Sequence, residues 1–114
     1  MDTVRLGRTR EVPAGGGHVC VRVLGFSETT LPADAPRHAV RFPVVLARVD
    51  RGLVRVSSGA VVLGYLSPAW SRTVDFDLWE CEQLGATAVA RAVLSGPPGQ
   101  RDLHVMLAWR SSRR

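Results

Sequence analysis

The sequence predicts a mainly β fold built on a β-meander, with one helix and a closing β-hairpin, and three observations carry that prediction. Residues 42–66, FPVVLARVDRGLVRVSSGAVVLGYL, set three apolar runs between Asp50-Arg51-Gly52 and Ser57-Ser58-Gly59, each of which puts a glycine where a tight turn can need positive φ. Ser67-Pro68 then supplies a helix start, followed by apolar residues at spacings of three and four. Last, residues 86–94 and 103–109 flank Ser95-Gly96-Pro97-Pro98-Gly99, a strong turn signal between two strands.

At 114 residues and 46% hydrophobic content the chain is one domain's worth, with enough apolar surface to fold by itself. Residues 1–17 mix Arg5, Arg8 and Arg10 with Pro13 and three glycines, so a basic, mobile arm is expected there, with a short strand at residues 4–6 as an option. The glycine run lacks the context of a phosphate loop. The folded domain is expected over residues 18–110, with a basic tail at 111–114.

Residues 18–25 alternate cleanly, with Val19, Val21 and Val23 on one face and Cys20, Arg22 and Leu24 on the other. Residues 28–40 show no period and read as a long loop, of the kind that often binds ligands, which brings forward Phe26, Arg37 and His38. The first meander strand, residues 41–49, is apolar on both faces and should be central. In the second, residues 53–56, Arg55 opposes Val54 and Val56, and Arg48 is expected beside it across the hairpin. Two adjacent guanidinium groups suit a shared anion, or else lie screened in water. Gly64 signals a bulge or a close backbone approach. Tyr65, the one phenol, reads either as core or as a stacking platform.

On the helix, Trp70, Val74, Leu78, Cys81 and Leu84 form an apolar stripe that Gly85 ends, and residues 73–77 are weak helix formers where it can break. The small face Ala86, Ala88, Ala90, Ala92 calls for a helix laid across it, with Trp70 or Trp79 filling the space. Leu103, Val105, Leu107 and Trp109 make the last strand's core face. Cys20 and Cys81 fit buried small hydrophobes better than a bridge.

All fifteen basic residues are Arg, and the net charge is +5. Arginine's planar fork suits phosphates and bases, although a GC-rich genome gives the same bias. Asp75, Asp77, Glu80 and Glu82 gather four of the ten acids on the helix. If they share one exposed face, the remaining surface is more basic than the total implies. The chain starts without a signal-peptide pattern and has no apolar run of membrane length, so a cytoplasmic protein with reduced thiols and no membrane partner is expected.

The order of elements, the V-x-V, turn and G-x-x-x-x-GYL run of residues 54–66, the helix entered directly after it, and the Leu103-His104-Val105-Met106-Leu107-Ala108-Trp109 close together resemble the HIRAN domain over roughly residues 19–109. The family occurs alone in bacteria and fused to eukaryotic DNA-remodelling helicases. The resemblance implies a small OB/SH3-like β-barrel that holds single-stranded DNA, in the characterised members at a 3′-hydroxyl end. Tyr65 matches a ring position after the family glycine. The family's paired early aromatics are reduced here to Phe26, and its Asn-Pro-Tyr-Asp-like stretch is shortened to Val49-Asp50-Arg51-Gly52.

The expected function is therefore a non-catalytic module for nucleic acid, single-stranded DNA or DNA ends above all, with Arg22, Phe26, Arg37, Arg41, Arg48, Arg55 and Tyr65 as contact residues. The alternative is a protein-interaction or regulatory adaptor using the acidic helix or an open strand edge. His18, His38 and His104 lack metal-ligand spacing and no nucleophile has an evident base, so no catalytic residue, metal or cofactor is assigned. Oligomeric state is left open.

Overall fold

The computed structural model describes residues 8–13, 15–31, 41–97 and 99–108. Its elements run β1 (Arg8–Glu11), β2 (Val19–Arg22), β3 (Phe42–Arg48), β4 (Val54–Ser58), β5 (Val61–Tyr65), α1 (Pro68–Gln83), β6 (Ala86–Ser95) and β7 (Asp102–Leu107). The protein is mainly β, as the patterning requires. β3, β4 and β5 form the antiparallel meander, with Ala47 opposite Arg55 and Arg55 opposite Tyr65. Both turn glycines have positive φ, 71° at Gly52 and 58° at Gly59, and Arg51 joins the first turn at 68°.

One sheet runs β2-β7-β6-β3-β4-β5, so β3 is central, flanked by β4 and β6. The sheet curls until its two ends meet. Past the end of β2, the Leu24 amide donates to the Tyr65 carbonyl at 2.8 Å and the Tyr65 amide returns a bond to the Leu24 carbonyl at 3.0 Å, which closes a small OB-like barrel. Gly64 permits this seam, because a Cβ there would overlap the Leu24 carbonyl and the Val23 side chain. The register between β4 and β5 also shifts at Val56/Ser57, leaving an extra residue on β5.

The barrel's inner face is aliphatic. Val21, Val44, Leu46, Val54, Val56, Leu63, Ala90, Ala92, Leu103, Val105 and Leu107 are buried there with Val74, Leu78 and Cys81 of α1. The helix begins as expected, with Ser67 Oγ accepting from the Trp70 amide at 3.2 Å and Pro68 at the first helical position. It runs unbroken through residues 73–77, where the sequence suggested a break. Burial of Val74 and Leu78 outweighs the weak propensities around them.

Several expectations need correction. The alanine face does receive the helix, with Val74, Leu78 and Cys81 buried beside it and Trp70 half-buried against the same core; Trp79, one residue and about 100° round from Leu78, turns to solvent. Leu84 leaves the stripe and is exposed, whereas Ser71 is buried within it. The Ser71 hydroxyl accepts from the Val54 amide at 3.0 Å and donates to the Leu66 carbonyl at 3.4 Å, tying α1 to the meander. Cys20 is exposed, since strand alternation puts it with Arg22 on the outer face, where its thiol meets Met106 Sδ at 3.5 Å. Only Cys81 is a buried thiol, and burial raises its pKa.

The expected loose arm also ends early. β1 pairs in parallel with the first half of β6, Arg8 opposite Ala86 and Glu11 opposite Val89, and Val12 reaches the core. The other half of β6 pairs with β7, from Arg91 opposite Met106 to Ser95 opposite Asp102. The glycine run then lies directly on β7, where a side chain at Gly17 would collide with the Leu107 and Met106 backbone. The strand suggested at residues 4–6, and Trp109, fall outside the described residues. Among those described, no helix is long and apolar enough to cross a membrane.

Two substitutions probe this frame. Ser71→Ala strands the buried Val54 amide and should cost about 1–3 kcal/mol in urea denaturation. Gly64→Ala should open the seam, seen by hydrogen exchange as early loss of protection at the Leu24 and Tyr65 amides, while β6 and β7 stay protected.

Candidate nucleic-acid interface

The seam that closes the barrel also assembles a surface patch. Directly opposed residues in a sheet share a face, so Leu24, just past β2, forms one outward row with Tyr65 of β5, Arg55 of β4 and Ala47 of β3. Val62 joins them from the next row, opposite Ser57, because the bulge lets Val62 and Tyr65 face outward although only Leu63 and Gly64 separate them. Leu24, Val62 and Tyr65 are 45%, 46% and 38% exposed, an apolar surface around a ring.

Arg55 is the cation of this patch. Its Cβ lies about 5 Å from that of Tyr65 across the strands. The side chain is half-buried, and its Nε is shut off from solvent without a hydrogen-bond partner among the described residues. A guanidinium carries five donors in a planar fork, and because the side chain is only half-buried its outer edge is the part that can take an anion.

The expected pairing of Arg48 with Arg55 does not form. Arg48 is opposite Val54 and Arg55 opposite Ala47, which puts the two on opposite faces. The turn between Arg48 and Val54 sets this register, and with a period of two a single step inverts the face. Arg48 points toward α1 instead. Its Nε and Nη2 donate to the Glu82 carboxylate at 2.9 and 2.7 Å, and its Nη1 donates to Asp75 at 3.1 Å. These bonds raise the Arg48 pKa further above its ordinary value, and they hold Glu82 below the usual carboxylate range.

The helix acids consequently do not share one face. Asp75 and Glu82 grip Arg48 on one flank, while Glu80 on the other lies 3.9 Å from Arg10 of β1. Arg8 completes the hold by donating to the Leu84 carbonyl at 2.6 Å, at the helix end where cations are favoured. Three arginines thereby serve the fold, and none of the three is available to a ligand at no cost.

The remaining expected contact residues scatter. Arg22 projects from the outer face, more than half exposed, and meets Asp102 at 3.5 Å. Phe26 is partly buried and packs on the core, so its ring is anchored and does not serve as an open platform. Arg41 is exposed just before β3, and no ionic partner faces it among the described residues. It borders a cavity of about 440 Å³ with Pro43 and Arg91. Arg37 and His38 lie outside the described residues. Arg91, held by Glu11 at 2.8 Å, was not anticipated, and neither were Leu24 and Val62. The alternation of residues 18–25 did put Leu24 outward, but only closure of the barrel brings it to Tyr65.

The Arg48 clamp makes a pH prediction. A carboxylate whose folded pKa is depressed stabilises the fold above its unfolded value, near 4.3 for Glu, and this contribution disappears as pH falls through the folded value. Glu82→Gln should therefore lower Tm by a few degrees at pH 7, with the gap to the parent protein closing below about pH 4 in thermal melts.

Compared with protein-family models, curated proteins and solved structures, the chain matches none of them.

Proposed function

We propose that the protein is a non-catalytic binding module for single-stranded nucleic acid, with single-stranded DNA as the preferred form, in keeping with its resemblance to the HIRAN domain. The observation that carries this reading is the exposed Tyr65 ring standing directly across from the half-buried Arg55, beside Leu24 and Val62. An exposed ring stacks any base, and a neighbouring guanidinium takes a phosphate or stacks in turn. Arg22, exposed on the outer face of β2, is a further phosphate contact, and the net charge of +5 favours approach of a polyanion.

Fluorescence anisotropy with a labelled oligothymidylate tests the proposal. Two phosphate contacts should weaken binding about sevenfold between 50 and 200 mM salt. Tyr65→Ala should cost about fivefold or more, since base stacking contributes about 1–3 kcal/mol per base. Arg55→Gln should flatten the salt dependence. Arg48→Gln should lower thermal stability and leave affinity unchanged in the folded protein. Absence of binding at micromolar protein, or equal affinity of Tyr65→Ala, defeats the reading.

A specific observation favours a second reading. Phe76 and Trp79 are 45% and 42% exposed on the outer side of α1, with ring centroids 5.6 Å apart, an aromatic pair suited to a protein partner. Under that reading, association is insensitive to salt and is lost in Trp79→Ser, not in Tyr65→Ala.

A further inference from the structure

The cavity beside Arg41 is separate from the Tyr65 patch. Its floor is apolar, formed by Pro43 of β3 and Val89 of β6, and β1 walls one side with Thr9 and Glu11. The parallel pairing of β1 with β6 builds that wall, because it sets Glu11 opposite Val89. At about 440 Å³ the cavity is in the range of small-ligand sites.

Its two cations are differently prepared. Arg91 faces Pro43 in register, its Nε bonds Glu11 Oε2 at 2.8 Å, and Gly16 packs against its guanidinium so closely that a Cβ would come within 3.2 Å. The group is thus fixed before any ligand arrives. Arg41 sits two residues before Pro43, about 7–8 Å from Arg91 at the backbone, and has no ionic partner among the described residues. With Glu11 counted, the lining carries one net positive charge. A single anionic head group balances it, whereas a phosphodiester chain running through would pass the Glu11 carboxylate.

We infer that this cavity is a binding site for a flat organic monocarboxylate, its carboxylate on Arg41 and the free edge of Arg91 and its ring on Pro43 and Val89. The fork of an arginine matches a carboxylate's two oxygens, and an apolar body replaces water over an apolar floor. The site does not depend on nucleic-acid binding at Tyr65.

An NMR titration of the ¹⁵N-labelled chain with 1-naphthoate, and in parallel with the uncharged 1-naphthamide, tests the inference. The expected result is saturable shifts grouped at the Phe42, Ala90 and Arg91 amides, with naphthamide at least tenfold weaker. Arg41→Gln, at an exposed position, should weaken naphthoate tenfold, and Val89→Trp should abolish binding by filling the floor. Should Val89→Trp fail to fold, Arg41→Gln still decides. Shifts centred on Phe76 and Trp79, equal binding of the amide, or unchanged affinity in Arg41→Gln would overturn the assignment.

Discussion

Two hydrogen bonds between Leu24 and Tyr65 convert a curled sheet into a barrel, and both the fold and the candidate interface depend on them. Without the seam, β2 and β5 would each present an open edge along their full length. With it, Leu24 and Tyr65 become neighbours on the outside while Val23, Leu63 and Leu66 are buried inside. Gly64 is the local condition for this approach, and the bulge beside it sets which side chains of β5 face out. Fold closure and surface composition therefore have one origin.

The second organising constraint is electrostatic. The arginine content invites a reading as one basic surface, yet the protein divides its arginines by parity and position. Those of β1 and the end of β3 that face α1 engage Glu80, Asp75, Glu82 and the helix's terminal carbonyl. Arg101 is likewise committed, since its guanidinium and amide meet the Glu28 carboxylate where both side chains are largely buried, anchoring the short turn after Phe26 to the β6–β7 hairpin. Arg22, Arg41, Arg55 and Arg91 lie instead on the side of the sheet away from α1. A pair of charges held on a half-exposed flank adds modest stability, and its larger effect is to fix how α1 sits on the alanine face.

Much of the fold was legible because it depends on local rules. Alternation located the meander, β2, β6 and β7; Ser67-Pro68 and Gly85 bounded the helix; Ala88, Ala90 and Ala92 announced the face that a helix would cover. Less was legible where a weak local signal met a strong tertiary one. β1 is a basic stretch without apolar alternation, and it is a strand because the first half of β6 has an unpaired edge to offer. Ser71 reads as a polar break in an apolar stripe, and its burial depends on the Val54 amide it satisfies.

The candidate site was legible as residue types and not as an arrangement. Tyr65 and Arg55 were identified from the meander alone, but the partner proposed for Arg55 was on the wrong face, because hairpin register follows turn geometry that spacing does not reveal. Leu24 and Val62 join the patch only through closure and the bulge, and Arg91 becomes notable only when β1 brings Glu11 beside it. The sequence by itself determined the mainly β class, the helix limits and the buried faces, since periodicity and turn chemistry act over a few residues. Tertiary structure decided which arginines hold the helix and which stand outward, since that depends on register and closure between segments far apart in the chain.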